Sequence, residues 1–295
     1  MKTKLTSLEA ALAPIKSGCS IALGGAMLRR QPNAAIRHLI SRNIKDLTLL
    51  TWVTTTSTDL LAAAGSIRRV EGVYVGMFNH GLAPNFRRGV ESGAIEVRDF
   101  SETAMIARFR AASAGLPFYP LKSLLGSDIA AHNPEQFRPI TCPYTGRELH
   151  AVPAAESDFT IMHGYASDEY GNVQWPVVRD TDDIDQMIAT ASKRLIVTVE
   201  RIIPHSSVRK QPSLTYIPGC IVEAVVELPY GAHPAACDTR YNEDEAHLEE
   251  YLKLSRTPEG ADAYLDKYVR SPSSHEDYVR KVGGFASLSR LDVAE

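Results

Sequence analysis

The strongest constraint on the fold lies between residues 20 and 40. An apolar run long enough for a strand ends in Gly24-Gly25, and a short basic turn with Arg29 and Arg30 follows. Pro32 then begins an apolar-periodic segment. Proline is favoured at the first helical position, because its missing N–H would have no partner there. The segment therefore predicts a strand, a double-glycine turn and a helix in succession.

The double-glycine turn has two interpretations. Glycines let backbone amides approach a ligand without an intervening Cβ atom, and the start of a helix adds partial positive charge. Gly24, Gly25 and Ala26 are thus candidates to bind a phosphate, a carboxylate or the oxyanion of a thioester. Alternatively, the glycines only let a strand leave a parallel sheet. Neither a G-x-G-x-x-G motif nor a P-loop lysine follows, so the turn does not indicate a nucleotide site.

Strand-like and helix-like segments alternate along most of the chain. This alternation predicts an α/β fold with an open, mostly parallel sheet and helices on both faces. Ligands collect at the carboxyl ends of the strands in such sheets. The predicted strands span residues 20–25, 47–53, 69–77, 94–100, 159–163, 194–199 and 220–226. The predicted helices lie near residues 6–16, 32–40, 59–64, 85–91, 101–114, 182–191, 245–254 and 258–268.

We expect one α/β domain over residues 1–270. Its proline-rich middle, residues 118–153, is predicted to be an excursion with little regular structure, and residues 271–295 a surface arm. A capping box, Thr6 with Glu9, is expected to open the first helix.

Composition excludes several classes of protein. The 295 residues carry a net charge of −3 with no lysine- or arginine-rich tract, which argues against nucleic-acid binding. No apolar run reaches the length of a transmembrane helix, so we expect no membrane partner. The N-terminus lacks a secretory hydrophobic region, and the four cysteines form no Cys-x-x-Cys pair. These features predict a cytoplasmic protein with reduced thiols.

Ser101 and Glu102 follow a predicted strand and begin a predicted helix. Ser101 is placed to cap that helix, and a glutamate in the first turn favours the helix dipole. The alternative is a functional carboxylate at the ligand-bearing edge of the sheet. The histidines show no metal-ligand spacing, so we expect no metal, and the acidic residues from Asp180 to Asp185 are interpreted as a helix N-terminus.

Several motifs together resemble the family I CoA-transferases, in particular the α (A) subunit of glutaconate CoA-transferase. They occur in the family's order from about residue 7 to residue 284. The motifs are Leu23-Gly24-Gly25, Arg30-x-Pro32, Asp46-Leu47-Thr48, Ala111-Ala112-x-x-Gly115-Leu116-Pro117-Phe118-x-Pro120, Ala151-Val152-Pro153, Ile217-Pro218-Gly219, Tyr230-Gly231-Ala232-His233-Pro234 and the segment 241–251.

The resemblance implies a domain of the CoA-transferase (NagB/RpiA-like) type, paired with a β subunit of the same fold, commonly as α2β2. In this family a glutamate attacks an acyl-CoA and passes through an acyl anhydride to a glutamyl-CoA thioester, from which a second carboxylic acid collects the CoA. That glutamate belongs to the β subunit in two-chain members. The resemblance therefore implies a CoA thioester as substrate and no permanently bound cofactor.

The resemblance also implies roles for individual residues. Gly24, Gly25 and Ala26 would shape the acyl or carboxylate pocket. Arg30 would pair with a substrate carboxylate, the alternative for this arginine being a solvated basic turn. Ser101 and His233 are further candidates for binding substrate or CoA.

Two alternatives to a transferase stay open. The chain is also similar to the α subunit of a steroid ring-opening CoA-thioester hydrolase, in which the glutamate that matches Glu102 acts in water activation or proton transfer. Gly25-Ala26-Met27-Leu28 departs from that branch, which carries a tryptophan after its glycines. A non-catalytic subunit that only binds CoA thioesters is the other alternative.

Overall fold

The computed structural model describes residues 2–122, 124, 126–177 and 184–293. None of the helices in these ranges is both long and apolar enough to cross a membrane.

Within the described residues, nine strands form one large sheet and five belong to two smaller sheets. The strands are β1 (Ser20–Leu23), β2 (Leu47–Leu50), β3 (Val53–Thr54), β4 (Ile67–Gly72), β5 (Tyr74–Val75), β6 (Glu96–Asp99), β7 (Phe118–Leu121), β8 (Arg138–Thr141), β9 (Glu148–Pro153), β10 (Phe159–Ser167), β11 (Val173–Gln174), β12 (Leu195–Ile202), β13 (Thr215–Ile217) and β14 (Val222–Glu227).

The large sheet is parallel in the order β6-β4-β2-β1-β10-β12-β14. The antiparallel strands β11 and β13 extend it beside the carboxyl end of β10. The chain winds outward in one direction from β1 and in the other direction from β10. The order therefore reverses between β1 and β10, and open α/β sheets commonly bind their ligands beside such a point.

Helices cover both faces of the sheet, as predicted. They are α1 (Leu8–Leu12), α2 (Asn33–Ser41), α3 (Thr56–Ala63), α4 (Pro84–Glu91), α5 (Glu102–Ser113), α6 (Asp128–His132), α7 (Ile184–Thr190), α8 (His205–Lys210), α9 (Glu245–Leu254), α10 (Pro258–Leu265), α11 (His275–Lys281) and α12 (Phe285–Leu288). Short 3-10 helices span Phe78–His80, Pro212–Leu214, Gly219–Ile221 and Ser289–Leu291, and a π-helical turn spans Asp266–Arg270.

Two hydrophobic cores follow from this layering. One lies on the face covered by α1, α2, α3 and the C-terminal helices, and the other on the face covered by α5 and α7. Neighbouring residues of one strand point to opposite cores, as Ile161 and Met162 of β10 do. This alternation is the expected consequence of the pleat of a sheet that is buried on both sides. The predicted fold class is confirmed.

The prediction of little regular structure over residues 118–153 is wrong. Strands β7, β8 and β9 form a three-stranded antiparallel sheet there, and α6 lies between β7 and β8. Most side chains of these strands are exposed or half-buried, so their sequence lacks the apolar runs that mark the central strands of the main sheet, such as β1, β2 and β12.

The C-terminal residues pack more tightly than a surface arm would. Tyr278, Val279 and Leu288 belong to the first hydrophobic core and are at most 2% exposed. The domain boundary at residue 270 stays a prediction. At the N-terminus, Ser7 and not Thr6 caps α1, because its side chain accepts the Ala10 N–H. The predicted helix start at Asp182 lies outside the described residues.

Candidate functional site

The double-glycine turn uses its own backbone amides internally. The Gly24 N–H donates to the Ile161 carbonyl at 3.0 Å, and the Ala26 N–H to the Arg29 carbonyl at 3.1 Å. The Gly25 N–H donates to Asp185 Oδ1 at 2.8 Å. Each of these amides therefore already has a partner within the chain, and the binding of an oxyanion by Gly24, Gly25 and Ala26 stays a prediction.

The backbone of the turn requires glycine at Gly25. Its φ of +82° lies in the left-handed region, and a Cβ atom there would lie 2.6 Å from the Arg30 carbonyl oxygen. That oxygen belongs to the backbone and cannot rotate away. The glycine thus serves the close return of the turn, which is the packing interpretation.

Arg30 is buried and ion-paired. Its side chain is 2% exposed and lies 3.2 Å from Asp185 Oδ2, and its guanidinium also binds Asp238. The Tyr165 hydroxyl completes the cluster, since it accepts from Arg30 Nη1 and donates to Asp238 Oδ2, both at 3.3 Å. Two carboxylates of the chain already neutralise Arg30, and its pairing with a substrate carboxylate stays a prediction.

The neighbouring loop fixes the turn from the other side. The carbonyl of Met27 accepts hydrogen bonds at 2.9 Å from Thr55 Oγ1 and from Gln31 Nε2. Thr55 and Gln31 are completely buried, whereas 38% of the Met27 side chain is exposed. Met27 and the partly exposed Arg29 therefore face solvent, whereas the other residues from 24 to 31 are buried.

Other apolar side chains are exposed near the same edge of the sheet. Tyr74 of β5 is 37% exposed and packs against Phe78, with ring centroids 5.0 Å apart. Leu82, which forms a β-bridge with Gly76, is 60% exposed. β5 pairs with β3 beside the Thr55 loop, so these residues and Met27 belong to adjoining loops. Met27, Tyr74 and Leu82 are thus exposed apolar residues of adjoining loops near the carboxyl edge, and we refer to them as the apolar rim.

Ser101 and Glu102 lie at the outer edge of the sheet. Ser101 Oγ accepts the Ala104 N–H at 3.2 Å and caps α5, as the capping interpretation predicts. Glu102 is exposed, and its side chain makes no hydrogen bond or ion pair with the described residues. Because β6, β4, β2 and β1 are successive neighbours, Glu102 lies roughly 14 Å across the sheet from the glycine turn. The structure does not bring the two together.

His233 is buried and hydrogen-bonded within the chain. Its ring is completely buried, with Nδ1 2.7 Å from the Tyr278 hydroxyl and Nε2 3.1 Å from Asp244 Oδ2. Burial lowers the pKa of His233, and the hydrogen bond with His233 holds the pKa of Asp244 at about 2. These hydrogen bonds join α9 and α11 to the rest of the chain, and a contact of His233 with substrate or CoA stays a prediction.

A second buried polar cluster, formed by His163, Glu200 and Tyr241, was not predicted. Glu200 Oε1 accepts from His163 Nε2 at 2.6 Å and from the Tyr241 hydroxyl at 2.8 Å. The ligand atoms of His163, Glu200 and Cys237 lie within 4.8 Å of one another. Burial raises the pKa of Cys237 well above its ordinary value, so the thiol stays protonated and is a poor metal ligand. Hydrogen bonding therefore accounts for the cluster.

Comparison with known proteins identifies the family. Residues 5–228 match the coenzyme A transferase family. The chain is 38% identical over 299 residues to an uncharacterised protein of Archaeoglobus fulgidus, and this match covers 99% of the chain but 65% of that longer protein.

Two further relatives have named activities. The α (A) subunit of glutaconate CoA-transferase from Acidaminococcus fermentans is 32% identical over 301 residues, or 95% of this chain and 92% of that one. The crystal structure of that transferase superposes with a TM-score of 0.92 at 31% identity, over 99% of this chain and 96% of the other. A cholesterol ring-cleaving hydrolase subunit of Rhodococcus jostii is 30% identical over 296 residues, covering 97% of each chain. The chain belongs to the coenzyme A transferase family.

Proposed function

We propose that this chain is the α subunit of a heteromeric CoA-transferase, which moves CoA between an acyl-CoA and a free carboxylic acid. The observation that carries the proposal is the near full-length similarity, in sequence and in structure, to the α subunit of a known transferase. A β subunit of the same fold, an α2β2 assembly, a cytoplasmic location and a CoA thioester as a substrate without a permanent cofactor are parts of this proposal.

The carboxylates of this chain support a nucleophile on the partner. Asp185 and Asp238 neutralise Arg30, and Glu200 is buried and hydrogen-bonded. Covalent catalysis by a carboxylate needs an accessible oxygen beside donors that stabilise the developing oxyanion. Glu102 is accessible but lies away from the glycine turn, whose amides are already occupied. None of these four carboxylates fits the role of the nucleophile, which supports a reacting glutamate on the second chain.

The reaction proceeds through exchange steps that retain the free energy of the thioester. The partner's carboxylate attacks the acyl carbonyl and expels CoA as a thiolate, which leaves an acyl-glutamyl anhydride. The thiolate then attacks the glutamyl carbonyl, releases the first acid and forms glutamyl-CoA. The carboxylate of the acceptor acid then attacks glutamyl-CoA and expels the CoA thiolate, which leaves a second anhydride. The thiolate attacks the acceptor's carbonyl in this anhydride, which gives the new acyl-CoA and frees the glutamate. We infer that the exposed apolar rim of Met27, Tyr74 and Leu82 forms this chain's side of the site, where exclusion of water would protect the anhydride from hydrolysis.

Trapping the thioester intermediate tests the assignment. The chain is co-expressed with its neighbouring reading frame, the complex is treated with acyl-CoAs, and borohydride reduction followed by peptide mass spectrometry locates the modified glutamate. We expect modification of the partner chain and CoA exchange only when an acceptor acid is present. Modification of a glutamate in this chain, or exchange by this chain alone, would overturn the assignment.

The role of Glu102 separates a transferase from a hydrolase. We expect Glu102→Gln to lower the rate of CoA exchange less than about threefold, because Glu102 has no contact with the glycine turn. Glu259→Gln is a matched control, since Glu259 is also exposed in the first turn of a capped helix, α10. Acyl-CoA hydrolysis without an acceptor, lost in Glu102→Gln and retained in Glu259→Gln, would instead support the hydrolase alternative.

A further inference from the structure

A small cavity lies away from the carboxyl edge, between α2 and the segment from Tyr268 to Tyr278. Its volume is about 50 Å³, and Arg37, His38, Ser41, Ser273 and His275 are among its lining residues. A water molecule occupies about 30 Å³ in the liquid. The cavity therefore has room for one or two waters or for one small ion.

Three of the lining residues have a buried nitrogen without a hydrogen-bond partner. These atoms are Arg37 Nη2, His38 Nε2 and His275 Nδ1. Buried polar atoms in folded proteins nearly always have partners, and an unsatisfied one is destabilising. Three such atoms around one cavity indicate a missing polar occupant, because isolated packing faults would not gather there.

The charge of Arg37 also lacks a counter-ion. Arg37 is 7% exposed, stacks on the Tyr278 ring at 3.5 Å and donates from Nη1 to the His233 carbonyl at 3.0 Å. No carboxylate of the described residues forms an ion pair with Arg37. Among similarly buried arginines, Arg30 pairs with two carboxylates and Arg108 with one. A buried guanidinium without a carboxylate favours an anion nearby.

The histidines restrict the kind of anion. His275 Nε2 lies 2.8 Å from the Pro229 carbonyl, which can only accept, so Nε2 carries the proton. Burial and the charge of Arg37 lower the pKa of His275 to about 4, so its ring is neutral at pH 7. Nδ1 is therefore an acceptor and needs a donor, whereas Arg37 Nη2 needs an acceptor. An oxyanion that retains a proton supplies both.

We propose that the cavity between α2 and α11 is a binding site for a small protonated oxyanion of the hydrogen phosphate type, held by Arg37, His38 and His275. Such an ion would be part of the folded structure, because it would link the second turn of α2 to the C-terminal helices. The proposal rests on residues of this chain and does not depend on the proposed transferase activity.

Ligand-linked stability tests the proposal on the full chain, in the complex in which it purifies. Thermal unfolding is followed at pH 7 in phosphate, sulfate and chloride at matched ionic strength. We expect phosphate to raise the melting temperature more than sulfate, which carries no proton at this pH, and chloride to have no specific effect. Above its Kd, each tenfold increase in phosphate should raise the folded-to-unfolded ratio about tenfold.

Variants assign the effect to the cavity. Arg37→Lys should lose the phosphate response, while Arg108→Lys, at an equally buried arginine outside the cavity, should retain it. If Arg37→Lys does not fold, His38→Phe keeps the ring shape and should weaken the response. Equal responses in wild type and both cavity variants, or no difference among the three salts, would mean that the cavity holds only water. A response abolished by saturating CoA would mean that phosphate occupies a substrate site, which also overturns the proposal.

Discussion

Replacing Asp185 by asparagine tests whether the buried ion-pair cluster holds the double-glycine turn. Asp185 has a side chain only 3% exposed and contacts both parts of the turn. Its Oδ1 accepts the Gly25 N–H, and its Oδ2 lies 3.2–3.3 Å from Arg30 Nη2 and Nε. The amide oxygen of asparagine can keep the first contact, whereas the charge that pairs with Arg30 is lost.

The size of the effect follows from burial. Removing one partner of a buried ion pair destabilises a protein by about 3–5 kcal/mol, because the other charge stays buried without compensation. Arg30 keeps its contact with Asp238, so we expect a loss near the lower limit, about 3 kcal/mol in the free energy of unfolding. The turn should also loosen, since the cluster fixes it to α7.

Asp262→Asn provides a matched control. Arg270, like Arg30, binds two aspartates, Asp262 and Asp266, but these side chains are 61% and 62% exposed. A surface pair contributes at most about 1 kcal/mol. Both variants are compared with wild type by urea denaturation at pH 7. If Asp185→Asn costs no more than Asp262→Asn, the cluster does not stabilise the turn and the reasoning fails.

Two further predictions concern backbone strain and pH. Gly25→Ala should lower the free energy of unfolding at least about 1 kcal/mol more than Gly18→Ala does, as measured by urea denaturation. Both glycines have positive φ, but only at Gly25 would a Cβ atom lie against backbone atoms. Equal losses of stability in the two variants would contradict this reasoning. Burial lowers the pKa of His247 to about 3, so the unfolded state takes up this proton first. The stability contributed by His247 should therefore be full above about pH 6.5 and fall by about 1.4 kcal/mol per pH unit below it. Burial also lowers the pKa values of His233 and His275, which add to this fall. His247→Phe should reduce the slope by about 1.4 kcal/mol per pH unit in unfolding curves measured from about pH 7 to pH 4, whereas an unchanged slope would assign the titration to other groups.

Local patterns predicted the central strands β1, β2, β10, β12 and β14, because these are largely apolar runs between turn residues. The strand, glycine turn and helix from β1 to α2 are present, although Pro32 is the N-cap residue and not the first helical residue. Strands β7, β8 and β9 were missed because exposed antiparallel strands need no apolar run. Their pairing depends on a partner strand and not on burial of both faces.

The candidate site was harder to predict, since its partners are distant in sequence. The residues that neutralise Arg30 follow it by 155 and 208 positions. No local motif reveals that an arginine in a basic turn will be buried. His233 was similarly singled out by its pentapeptide, which the structure explains by burial against Tyr278 and Asp244. Family motifs thus marked positions that the fold itself needs.

The ion-pair cluster also bears on why such a chain would need a partner. Ligands of open α/β sheets commonly occupy the crevice where the strand order reverses, which lies here between β1 and β10. Arg30, Asp185 and Tyr165 fill the space beside the glycine turn at this point. A substrate would then bind on the solvent side of the turn, where Met27 and the apolar rim are exposed. A surface of this kind encloses a reactive anhydride only when a second chain covers it, which is the geometry the proposed α subunit requires.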